Sequence, residues 1–237
     1  MPHGIAEPAP AGTGGEPVPL QIRGVSLRVG GRLLLDGVGL EARRGTSTVI
    51  TGPSGSGKST LLACITGLTA PGSGSIRVAG NEVTRMRRRA LALMRGREIG
   101  MVFQAGELLP ELTPVENVAL AGLLAGLGAE RSAERARALL AELDVTTAAE
   151  TTAELSGGEH QRTAVARALI TEPSLVLADE PTGALDPDDR DKVADLLFAL
   201  PRRRGCALVV VTHDRELAAR GDSVLRLEGG RLRGADR

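Results

Sequence analysis

The stretch Ile50-Thr51-Gly52-Pro53-Ser54-Gly55-Ser56-Gly57-Lys58-Ser59-Thr60 carries the residue types that phosphate chemistry needs, at the spacing it needs them. A β-branched run enters Gly-x-x-x-x-Gly-Lys-Ser, and apolar residues follow at Leu61, Leu62, Ile65 and Leu68. That order predicts strand, glycine loop and helix, the setting of a phosphate-binding loop. Glycines remove Cβ atoms, so successive backbone N–H groups can turn inward around a phosphate chain. The helix that follows points its positive end at the same anion. Lys58 would reach the β- and γ-phosphates and the Ser59 hydroxyl would hold Mg²⁺. A chance glycine turn is the bland alternative, and average residue usage gives one in about a hundred random chains of this length. Composition weighs further against it: of 29 basic residues only Lys58 and Lys192 are lysine. A compact ammonium fits between phosphates where a planar guanidinium does not.

Other polar groups fall where apolar runs end. Asp179 and Glu180 close the run Leu175 to Ala178, at the ligand edge of an α/β sheet. Asp179 is placed to hold Mg²⁺ opposite Ser59, and Glu180 to polarise a water for in-line attack on the γ-phosphate. A pair of helix-capping acids ahead of Pro181 and Thr182 is the competing reading. His213 closes a second run, Ala207 to Thr212, and its imidazole could touch a γ-phosphate oxygen; a structural loop histidine is the alternative. Gln104 follows the apolar segment Ile99 to Phe103, so its amide can reach Mg²⁺ or the attacking water. Ser156-Gly157-Gly158 opens a helix and makes a second anion site. One nucleotide does not need two glycine-rich helix starts. The second site therefore suits the ATP of another copy of the chain, in a head-to-tail dimer with two nucleotides sandwiched between protomers.

Elements must position these groups. Leu20–Ile22, Val25–Val29 and Leu33–Leu35 read as strands separated by glycine turns, followed by the strand Ser47–Thr51. Ser75–Ala79 resumes as strand, and Val224–Leu227 with Leu232 suggests a terminal hairpin. Thr113-Pro114-Val115-Glu116 has capping-box spacing with proline at the first helical position. The apolar stretch Val118–Ala129 reads as a buried helix, too short to span a bilayer. A helix from Asp189 to Leu200 is expected to stop at Pro201. Buried strands alternating with helices predict an α/β core with a mostly parallel sheet, an N-terminal antiparallel β subdomain and an inserted α-helical layer over about 105–165.

Composition bounds the rest. Lys+Arg and Asp+Glu both number 29, giving no net charge and no broad basic face for nucleic acid. The arginines between residues 83 and 97 read as a solvated helical face, with contact to anionic headgroups as the alternative. Cys64 and Cys206 stand far apart in sequence and read as reduced core thiols, in keeping with a cytosolic protein. Residues 1–19 hold five of the 13 prolines, four glycines and no Lys or Arg, and read as a disordered tail lacking a secretory signal.

Taken in order, these strings make residues 20–235 resemble the ATP-binding subunit of an ABC transporter. The resemblance implies that Gly52 to Thr60 is Walker A, Gln104 the Q-loop, Ser156 to Gln161 the signature and Leu175 to Glu180 Walker B. It implies Glu180 as catalytic base, Asp186 in the D-loop of Ala184-Leu185-Asp186, and His213 as the switch histidine. The strings 108–118 and 177–186 resemble the macrolide-exporter and lipoprotein-releasing branch. That branch implies an integral membrane permease as partner, a location on the cytoplasmic face of the plasma membrane, and export or extraction as the task. A regulator of cell-wall or division machinery on the same ATPase is the alternative; an unrelated P-loop kinase does not fit the string 155–162. Two positions depart from the pattern. Val29 stands where the family stacks adenine on an aromatic, which predicts weaker binding and poor ATP-over-GTP discrimination. His160 stands where Gln or Arg is commoner.

Overall fold

The computed structural model describes residues 17–235, so most of the tail expected over 1–19 lies outside the described residues. The chain begins with β1 (Leu20–Val29), β2 (Arg32–Ala42) and β3 (Ser47–Thr51), followed by α1 (Lys58–Ile65). Next come β4 (Ser73–Val78), β5 (Asn81–Glu82), α2 (Arg88–Glu98) and β6 (Ile99–Val102). Three helices follow: α3 (Pro114–Leu124), α4 (Ala129–Glu142) and α5 (Gly157–Leu169). The chain then runs through β7 (Leu175–Asp179), α6 (Pro187–Arg204), β8 (Ala207–Thr212), α7 (Arg215–Ala219), β9 (Ser223–Glu228) and β10 (Arg231–Gly234).

Two sheets result. The six-stranded one has the order β10-β9-β3-β8-β7-β6 and is parallel except where β10 folds back on β9. Its central strands are apolar on both faces, as parallel strands covered by helices must be, and all six residues of β8 are buried. The four-stranded sheet, β2-β1-β4-β5, is antiparallel. With no Trp or Tyr in the chain, aliphatic side chains build both cores. One core lies between the two sheets around Ile50, Leu61 and Ile76; the other joins α3, α4 and α5 to β7, β8 and α6. The parallel core, antiparallel sheet and helical layer agree with the fold class read from the sequence.

Three local expectations are corrected. Leu20–Ile22 and Val25–Val29 are one strand, because Gly24, at φ +60°, makes an irregularity in the ladder where a turn was expected. Helix α6 runs through Pro201 to Arg204. The proline sits near the C-terminal end with its ring buried, so the loss of one donor is offset by packing, and Gly205 in the left-handed region ends the helix. The stretch Val118–Ala129 is not a buried helix: α3 ends at Leu124, Leu124 is 76 % exposed, and Ala129 begins the next helix. Val118 faces the core while Leu123 and Leu124 face outward, so hydrophobicity alone did not settle burial.

Candidate functional site

The glycine loop joins β3 to α1, and packing explains its glycines. A Cβ on Gly52 would fall against the Leu227 carbonyl, and one on Gly57 would lie 3.2 Å from the Leu34 carbonyl oxygen. Gly55 and Gly57 take φ of 73° and 103°, conformations that L side chains resist. The loop is thus threaded between β2 and β9, with Pro53, Ser54 and Gly55 exposed at its tip. Lys58 Nζ donates to the carbonyls of Gly52 (2.8 Å) and Pro53 (3.2 Å), holding the ammonium across the loop. Ser56 Oγ is buried with no hydrogen-bond partner among the described residues, a polar atom suited to a phosphate oxygen. Thr60 lies half-buried in the first turn of α1.

The acids stand at the C-terminal edge of the same sheet. Asp179 is the last residue of β7, and the Ser59 hydroxyl donates to it. Burial raises the Asp179 pKa and the negative Glu180 adds to the rise, opposed by Ser59 and Lys58. A hydroxyl and a poorly solvated carboxylate, both hard oxygen donors, fit Mg²⁺. Glu180 leaves the strand at φ 46°, a strained conformation for a side-chain-bearing residue. Its backbone N–H donates to the Val211 carbonyl at 2.9 Å, which fixes the turn. Its carboxylate accepts from Thr212 Oγ1 (2.8 Å) and the His213 backbone N–H (3.4 Å), while Oε1 lies 2.8 Å from His213 Nδ1. Glu180 and His213, 33 positions apart, are therefore in contact. Thr212 was missed by the sequence reading; its one signal was a hydroxyl ending an apolar run beside the acid-bearing strand.

Gln104 lies in the turn two residues beyond β6, and its amide packs on Gly183, three residues past Glu180. The Ser156 element is built differently. Ser156 Oγ accepts from the Glu159 backbone N–H at 3.3 Å, and Glu159 reaches back to Ser156 N and Oγ. Burial raises the Glu159 pKa, but these bonds outweigh it and the net shift is downward. Gly158 carries no Cβ because Asp189 fills that space, and Asp186 caps α6 by accepting from the Asp189 N–H at 2.9 Å. The start of α5 is thus seated on the start of α6, whereas the Lys58 loop is seated on β2 and β9. Val29 ends β1 at the hairpin turn with 52 % of its surface exposed, and β2 of that hairpin touches Gly57 through Leu34 and Leu35.

The chain is similar to known proteins along most of its length. A family described as "ABC transporter" matches residues 35–183. The lipoprotein-releasing system ATP-binding protein LolD of Chromohalobacter salexigens is 44 % identical over 200 residues, covering 84 % of each chain. The uncharacterized ABC transporter ATP-binding protein YbbA of Escherichia coli is 46 % identical over 200 residues, covering 84 % of this chain and 88 % of its own. Among solved structures, the ATP-binding cassette MJ0796, in a dimeric post-hydrolysis state bound to ADP and Pi, is similar with a TM-score of 0.81. It is 33 % identical, over 92 % of this chain and 98 % of that one. A phosphate loop, an acid pair at the sheet edge and these likenesses place the chain in the ABC transporter family, as an ATP-binding subunit and an ATPase.

Proposed function

We propose that this ATPase works as a head-to-tail dimer around two ATP–Mg²⁺ and drives a permease in the membrane, for export or for extraction of a substrate from the bilayer. The observation that carries the dimer is the separate seating of the two helix starts, the Lys58 loop on β2 and β9 and the Ser156 start on α6. Each protomer then offers Gly52–Thr60 to its own nucleotide and Ser156, Gly157 and Gly158 to its partner's, with Asp186 beside the latter. The dimeric state of the similar cassette MJ0796, bound to ADP and Pi, supports a dimer.

In the reaction, Lys58 stabilises charge on the β- and γ-phosphates and the loop N–H groups orient them. Ser59, Asp179 and Gln104 would hold Mg²⁺, which supplies charge neutralisation when bound. Glu180 takes the proton of the attacking water. Thr212 and His213 hold its carboxylate, and His213 would exchange that contact for a γ-phosphate oxygen when ATP is bound.

The permease is supported by a groove lined by Gly96, Met101, Phe103, Ala121 and the exposed Leu124. No helix among the described residues is long and apolar enough to cross a membrane, so a peripheral place on the cytoplasmic face depends on such a partner. The likeness to a lipoprotein-releasing protein favours export or extraction. Glu180→Gln with saturating ATP is expected to elute as a stable dimer, and a monomer by light scattering would overturn the sandwich. From native membrane, the same variant should retain a polytopic membrane protein that Leu124→Glu releases. Lys58→Ala is expected to abolish hydrolysis.

A further inference from the structure

The loop that carries Gln104 is held by a helix and not by the sheet. Ladder pairing of β6 with β7 ends at Val102 opposite Ala178. Beyond it, Gln161 Nε2 donates to the Phe103 carbonyl at 2.8 Å. Arg167 donates from its two terminal nitrogens to the Gly106 carbonyl (2.7 Å) and the Glu107 carbonyl (2.6 Å). The clasp therefore grips the chain on both sides of Gln104. At the second grip, the His160 ring packs so tightly on Gly106 that a Cβ there would lie 2.7 Å from Nδ1. Gly106 takes φ 70°, which glycine adopts freely, but Glu107 sits at φ 48°, a strained conformation for a side-chain-bearing residue that its surroundings must hold. Gln161 is 2 % exposed, so its amide has little water to fall back on, and partial burial pushes the Arg167 pKa down.

All three clasp residues belong to α5, the helix whose N-cap is Ser156. At about 1.5 Å per residue, roughly 16 Å of continuous helix separates Ser156 from Arg167. The C-terminal end of α5 is fixed on the sheet, because Gly100 of β6 leaves no room for a Cβ against the Ala168 carbonyl. Any displacement of the Ser156 end is thus a swing about Ala168, and it carries Gln161 and the loop with it.

We propose that α5 is the strut that couples the two nucleotide sites of the dimer. When Ser156 engages the partner's nucleotide, Gln161 and Arg167 set the position of Gln104 in the helix's own site. The coupling rests on the head-to-tail reading above. Gln161 and Arg167 are positioning residues, acting through Gln104, and their removal should lower cooperativity and kcat while leaving dimer formation in place.

The test is the ATP dependence of hydrolysis by the full chain. The unaltered protein should be sigmoidal, with a Hill coefficient of roughly 1.5 or more for two sites. Gln161→Leu and Arg167→Met should bring it to about 1 and lower kcat on the order of tenfold with little change in half-saturation. Arg167→Lys, a point charge in place of a fork, should fall between. Thr113→Ala, which weakens the helical layer away from the clasp, should leave the Hill coefficient unchanged. Each clasp variant is also placed on Glu180→Gln and its ATP-dependent dimer measured. Sigmoidal kinetics in dimer-forming clasp variants, or hyperbolic kinetics in the unaltered protein, would overturn the coupling. Absence of a dimer in Glu180→Gln alone would instead remove the dimer reading and the coupling with it. Should Arg167→Met not fold, Gln161→Leu, which deletes one hydrogen bond, decides the matter.

Discussion

At the scale of single residues, chemistry depends on groups whose surroundings differ from water. Asp179 is a carboxylate that burial and Glu180 make harder to ionise, a cost that a divalent cation would relieve. Glu180 itself is held by Thr212 and His213, so its orientation depends on the last residue of the neighbouring strand and the one after it. Thr212→Val keeps the shape and removes both the bond to Glu180 and the one that Thr212 Oγ1 accepts from the Asp214 N–H; hydrolysis is expected to fall about tenfold, measured as kcat, with ATP binding intact. Val29 belongs to the same scale. An exposed aliphatic side chain in place of a stacked ring forgoes on the order of 1–3 kcal/mol of base contact. Competition binding should give ATP and GTP affinities within about fivefold of each other, and Val29→Tyr should favour ATP. The cysteines are the opposite case, groups that burial silences. The Cys64 thiol is pushed up to about 11 by burial and Cys206 is raised by the same cause. Neither should react with a thiol reagent at neutral pH until the chain is unfolded.

At the scale of elements, two capping boxes with the same bonding do different work. Thr113 and Glu116 cap α3, and the bonds from Thr113 lower the Glu116 pKa. Ser156 and Glu159 cap α5 in the same way. Thr113→Ala should cost about 1 kcal/mol of stability in urea unfolding and leave kcat unchanged. Ser156→Ala should cost a similar amount and also lower hydrolysis, because in the dimer reading that helix start faces a nucleotide. Capping was read from the sequence at Thr113, because it needs only residues three apart; the box of Ser156 and Glu159 was missed although it has the same spacing. The extent of α6 was not legible, since whether a helix tolerates Pro201 depends on what its buried ring packs against.

At the scale of the whole molecule, the helical layer and the sheet meet at the clasp around Gly106. His160 is half-buried there beside Arg167, and both effects, desolvation first, lower its pKa from 6.5. A depressed histidine binds its proton more readily in the unfolded chain. Its contribution to stability is therefore complete above about pH 6.5 and is lost as the pH falls towards the folded value. Urea unfolding at pH 7.5 and 5.5 should show the unaltered protein losing more stability on acidification than His160→Gln. The phosphate loop, the acid pair, the capping box of Thr113 and the class of fold were determined by sequence alone, because each depends on residue types at short, fixed spacing. Only the tertiary structure decided that Glu180 rests on Thr212 and His213, that Asp189 fills the space above Gly158, and that Gln161 and Arg167 hold the turn of Gln104. Those contacts join residues 31 to 61 positions apart through the order of strands and the seating of helices, which no local pattern encodes.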